Sequence, residues 1–78
     1  MKYDNGPHLC PICGKHTFDA YGTYETCPVC QWEDDGAQED NHDEELGANS
    51  MSVNQYKKAY SQGISYSEAT KLYYEGKL

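Results

Sequence analysis

Two Cys-Pro-x-Cys knuckles, Cys10-Pro11-Ile12-Cys13 and Cys27-Pro28-Val29-Cys30, hold every cysteine of the chain, and 13 residues separate them. Two residues between thiols let a chain curl around one cation, so that both sulfurs point inward and backbone N–H groups turn toward them. Two such turns supply four thiolates, a complete tetrahedral shell for Zn²⁺. The C-x₂-C-x₁₃-C-x₂-C spacing falls just short of the usual window for such sites and still points to a metal. Two structural disulfides are the alternative, and they need an oxidising compartment. A thioredoxin-like redox pair would not require a second pair, and no βαβ pattern surrounds either one.

The predicted ligands are therefore Cys10, Cys13, Cys27 and Cys30, with one zinc per chain. A shell of four cysteines leaves no open position for water, so the site reads as structural rather than hydrolytic. Iron in the same shell would make a rubredoxin-type electron carrier, and thiolates alone do not exclude it. Zinc is preferred. Rubredoxins separate their knuckles by a longer stretch and place glycine after each, whereas here Gly14 follows the first knuckle and Gln31 the second.

At 78 residues the chain is one small domain, and so short a chain buries little apolar surface without a staple. A structural zinc supplies on the order of 10 kcal/mol or more, comparable with the stability of a whole domain. Eight tyrosines stand against one phenylalanine; tyrosine packs its ring while keeping its hydroxyl wet, which suits a thin core or a binding face. The opening residues lack an apolar signal-peptide core, and no apolar run is long enough to span a membrane. The expectation is a cytoplasmic protein without a membrane partner.

Charge is unevenly divided. Residues 33–45 carry eight of the thirteen acids and no lysine, while the rest of the chain sets six lysines against five acids. There is no arginine. Four thiolates and Zn²⁺ would take the net charge from −7 to about −9. Nucleic acid is recognised through a basic footprint, so direct DNA or RNA binding is not expected.

Along the chain, residues 8–32 read as a ribbon bearing the metal, 33–51 as an acidic loop and 52–76 as a helical tail, all within one domain. Residues 1–8 form a lead-in with Asn5-Gly6-Pro7 as a turn. Between the knuckles, Thr17–Ala20 and Thr23–Thr26 alternate on a period of two around Tyr21-Gly22, which predicts a hairpin linking the knuckles. Trp32, two residues past the last cysteine, is placed as a lid over the sulfurs. The acidic segment lacks apolar periodicity and is expected to be extended. Asp34-Asp35-Gly36 does not continue into a calcium-binding loop. His8 and His16 flank the first knuckle, within reach of a sulfur, and His42 sits among carboxylates. Ser52 with Gln55 forms a capping box opening a helix whose stripe is Val53, Tyr56, Ala59 and Tyr60 and which ends at Gly63. Ser65 with Glu68 repeats the signature for a shorter helix, striped by Tyr66, Ala69, Leu72 and Tyr73 and closed by Gly76.

The strings Cys-Pro-Ile-Cys-Gly (10–14), Tyr-Glu-Thr-Cys-Pro-Val-Cys-Gln-Trp-Glu-Asp-Asp-Gly-Ala-Gln (24–38) and Gly-Ala-Asn-Ser-Met-Ser-Val-Asn-Gln-Tyr (47–56) resemble the bacterial cysteine-rich CPCC family of small zinc-ribbon-like or rubredoxin-like proteins. The resemblance implies a ribbon and a metal but no activity. The family commonly has cysteine where Ile12 stands, and the tail beyond Gly63 does not carry the resemblance. Within it, Trp-Glu-Asp-Asp-Gly and Gly47-Ala48-Asn49 belong to one motif. The loop after the second knuckle can thus fold back over the start of the helix at Ser52, where a helix dipole favours carboxylates; a partner-facing role is the alternative.

The fold class expected is a small metal-stabilised α+β domain: a zinc-ribbon-like two-knuckle hairpin, an acidic loop and one or two C-terminal helices. The functional expectation is a protein-interaction module presenting an acidic face to a basic protein partner, for which an immunity or antitoxin protein fits the physics. An iron electron carrier is one alternative. A small enzyme with a second metal among Asp34, Asp35, Glu39, His42 and Asp43 is another, although no nucleophile–base pair stands at recognisable spacing. An assembly factor docking through its tyrosine stripes is a third.

Overall fold

The computed structural model describes residues 7–78, so most of the 1–8 lead-in, including Asn5 and Gly6 of its Asn5-Gly6-Pro7 turn, lies outside the described residues. Strand β1 (His8–Leu9) enters the first knuckle and β2 (Thr17–Phe18) leaves it. They pair antiparallel with His8 opposite Phe18 and Leu9 opposite Thr17. The second knuckle is closed in the same way by an antiparallel bridge between Thr26 and Glu33. Each knuckle is thus the tip of its own short hairpin, and the predicted hairpin linking the two does not form. Gly22 and Tyr24 take left-handed backbone conformations, at φ 69° and 62°, which breaks the period-two run on which that expectation rested.

The acidic segment is not extended. Helix α1 (Gly36–Asp40) occupies its middle, capped by Asp35, whose Oδ1 accepts from the amides of Ala37 and Gln38. Asp35 is followed three residues later by Gln38, a capping signature hidden by the run of acids around it. Gln38 does not reach back, however. Glu39 accepts from the Asp35 amide instead, and Gln38 turns inward. Its Nε2 faces the carbonyls of Glu44, Asn49 and Met51 at 3.0 Å, while its Oε1 accepts from the Asn49 amide and side chain. Asn49 passes the connection on, exchanging two hydrogen bonds with the backbone of Glu33. Gly47 lies so close to this network that a Cβ there would stand 2.6 Å from Asp35 Oδ2. The acidic string and the Gly47-Ala48-Asn49 segment therefore form one docked unit, which is the linker reading of Trp-Glu-Asp-Asp-Gly.

Helices α2 (Val53–Ser61) and α3 (Tyr66–Tyr74) follow. The Ser52 capping box is complete, and Ser65 caps α3 through the Glu68 amide. Gly63 and Gly76 take the positive φ that lets a helix end. Val53, Tyr56 and Ala59 are buried, as is Ala69 on α3. The stripes are core rather than surface: the Tyr56 ring stacks beside Trp32 with an interplanar angle of 10° and meets Tyr66 edge-on at 5.3 Å. Ile12, Phe18, Trp32, Met51 and three of the cysteines complete this core, where each large apolar side chain contributes about 1.5–3 kcal/mol. Among the described residues no helix is long and apolar enough to cross a membrane.

Candidate metal centre

The two knuckles adopt the same turn. The Gly14 amide donates to the Cys10 carbonyl at 3.0 Å, and the Gln31 amide to the Cys27 carbonyl at 2.8 Å. Gly14 and Gln31 share a left-handed conformation, with φ 65° and 72°. The turns aim amides at sulfur: Lys15 N–H toward Cys13, Val29 and Cys30 N–H toward Cys27. Amides of Ile12 and Cys13 serve Cys10, and that of Trp32 serves Cys30.

All four Sγ atoms lie within 4.8 Å of one another. Across the two knuckles, Cys10 lies 3.5 Å from Cys30 and Cys13 lies 3.7 Å from Cys27. A tetrahedron with metal–sulfur bonds near 2.3 Å has edges of about 3.8 Å. The thiols are free and gather at one centre rather than as two bonded pairs, so the disulfide alternative does not describe them. Cys10, Cys27 and Cys30 are buried and Cys13 is partly so.

Electrostatics make the case for a cation. The hydrogen bond from Cys30 pushes the Cys10 thiol down to about 5, while Cys30 is pushed up by that same bond and by burial. Burial also raises Cys13. Cys10 gives a thiolate readily, and at Cys13 and Cys30 a further one meets desolvation and the charge already present. A divalent ion at the centroid would favour the thiolate form of its ligands. The donor set thus fits a metal, and the arrangement is consistent with a structural metal site.

Trp32 is fully buried in the core that includes three of the clustered cysteines, and its Nε1 donates to Glu39 at 3.1 Å. His16 turns its ring edge-on to Phe18. His8 Nε2 meets Asp34 and Glu39, at 3.0 and 3.2 Å. The five residues read from sequence as a second-metal set do not assemble. Asp34 and Glu39 meet, but Asp35 caps α1, His42 is exposed, and Asp43 accepts from Asn54. His8, 26 residues from Asp34, completes the cluster; no local spacing announces it. Burial and the neighbouring Asp34 push the Glu39 carboxyl up to about 8.

Paired knuckles, each on its own short hairpin and backed by helices, define a small ribbon protein with a four-cysteine cluster. The cysteine-rich CPCC family model matches residues 8–74, and the chain belongs to that family. The match runs through α3, so the tail beyond Gly63 is part of the family pattern, contrary to the expectation from the motif strings. No curated protein matches the chain.

Proposed function

We propose that this chain is a zinc-stabilised interaction module. One Zn²⁺ is held by Cys10, Cys13, Cys27 and Cys30, and the exposed stretch Asp40–Glu45 faces a protein partner with a basic surface. The convergence of four sulfurs into one closed shell carries this reading. A closed shell leaves the ion no coordination site for substrate, so its work is to hold together two hairpins too short to persist alone. Reduced thiols suit a cytoplasmic setting.

The acidic face is smaller than the charge count implies. Asp34 and Asp35 are buried and Glu39 is tied to Trp32 and to the Asp35 amide. Asp40, Asp43, Glu44 and Glu45 are exposed. Such a face speeds encounter with a basic partner and is screened by salt. An immunity or antitoxin protein acting on a basic toxin would use it in this way.

One observation favours a second reading. Gln31 adopts the backbone of the glycine it replaces, and six amides serve the sulfurs, so the departure at 31 does not disfavour iron. Elemental analysis of protein purified without added metal separates the two. Colourless protein with one zinc per chain, its thiols reactive only after chelation, is expected; red protein with one iron would make it an electron carrier. For the partner, capture on the immobilised protein should weaken with salt and with Asp43→Asn/Glu44→Gln. A captured set indifferent to both would refute the acidic face.

A further inference from the structure

We propose that His8, Asp34 and Glu39 form a second metal site, separate from the four cysteines, that takes one divalent cation of the zinc type. Their ligand atoms all lie within 4.8 Å of one another. His8 Nε2 faces Asp34 Oδ1 at 3.0 Å and Glu39 Oε1 at 3.2 Å. One ring nitrogen carries at most one proton, yet two carboxylate oxygens converge on it. Ligands at 2.0–2.1 Å around a tetrahedral ion stand about 3.3 Å apart, close to both separations.

The outer oxygens are already engaged. Asp34 Oδ2 accepts from the Thr23 amide, and Glu39 Oε2 accepts from Trp32 Nε1 and the Asp35 amide. These donors fix the carboxylates so that Oδ1 and Oε1 turn inward, the outer support that oriented metal ligands require. The side chains of Asp34 and Glu39 are 0 % and 5 % exposed. Two buried carboxylates beside one imidazole make a compact set of donors that a divalent ion would gather. One imidazole and two carboxylates form a borderline donor set suited to zinc, with water as the fourth ligand. The His8 side chain, 18 % exposed, marks the way in. The three residues come from β1, from the return strand of the second knuckle and from α1. The ion would therefore clamp a helix of five residues to both hairpins.

The test is equilibrium dialysis of the full chain, with its four-cysteine site loaded, against micromolar free Zn²⁺, with bound metal counted per chain. Two equivalents are expected, falling to one in Glu39→Gln and in His8→Ala while the thiols stay protected. Asp43→Asn/Glu44→Gln should keep both equivalents. With Co²⁺ as probe on the unmutated chain, the His8 ring protons should show large paramagnetic shifts at the second equivalent, a readout that does not depend on how a variant folds. One equivalent in the unmutated chain would show that the trio shares a proton and holds no metal. A second equivalent that survives both ligand variants, or leaves with Asp43→Asn/Glu44→Gln, would mark an adventitious surface ion. Either overturns the proposal whichever metal the cysteines hold.

Discussion

The Tyr56 hydroxyl donates to the Cys30 carbonyl at 2.6 Å, tying the middle of α2 to the second cysteine knuckle across 26 residues of sequence. The bond is buried, so its loss leaves a carbonyl without a partner. Tyr56→Phe keeps the ring against Trp32 and Tyr66 and removes only this link. It should cost about 1–2 kcal/mol, roughly 4–8 °C in Tm per kcal/mol for a domain of this size. Thermal melts check the cost. Thiol release under chelation should quicken in parallel, because the knuckle loses its support.

Gln31 holds a left-handed backbone at φ 72°, where a Cβ is strained by about 1–2 kcal/mol. Gln31→Gly should therefore stabilise the metal-loaded protein by about 1 kcal/mol, the larger chain entropy of glycine taking back part of the gain. Gly14→Ala tests the same physics in the opposite direction. A Cβ at Gly14 meets nothing within 4 Å, so any loss in Tm reports backbone strain alone. Unchanged melts for both variants would refute the account of the knuckle turn.

Gln38 is fully buried, with its amide nitrogen facing three carbonyl oxygens. Gln38→Glu has the same shape but sets a carboxylate against those oxygens. The expected loss is about 3 kcal/mol or more, a large part of what a small domain has. Urea titration of the metal-loaded protein measures it, and a loss below about 1 kcal/mol would mean that the acidic unit is not docked as described.

Glu39 gives a pH dependence with a definite sign. Its carboxyl is pushed up to about 8 from 4.5 by burial and by Asp34, so between those values the folded state binds a proton that the unfolded chain releases. Stability from this group is full below about 4.5 and is lost as pH rises toward 8. In protein holding metal only at its cysteines, Glu39→Gln should gain in relative Tm from pH 5.5 to 8.5. A constant difference would contradict the shift.

The local elements were legible because their signals are short in sequence. The knuckles need two residues between thiols, and the caps at Ser52 and Ser65 act on amides three positions on. Gly63 and Gly76 end helices through their own φ. The stripe of Val53, Tyr56 and Ala59 repeats at helical spacing, and these residues are indeed buried. The acidic segment misled for the same reason. Its charge is counted residue by residue, whereas the inward turn of Gln38 depends on the carbonyls of Asn49 and Met51, 11 and 13 residues away.

By itself, then, the sequence determined four thiols at metal spacing, two capped helices and the family. Each follows from neighbours on one turn or one helix face. Only the tertiary structure decided which acids enter the interior, that each knuckle closes its own hairpin, and that His8 meets Asp34 and Glu39. Contacts such as His8 to Asp34, Asn49 to Glu33 and Tyr56 to Cys30 span 16–26 residues and leave no periodic trace. They exist because burying a charged or polar group requires a partner, and the folded chain supplies that partner from wherever packing brings one within reach.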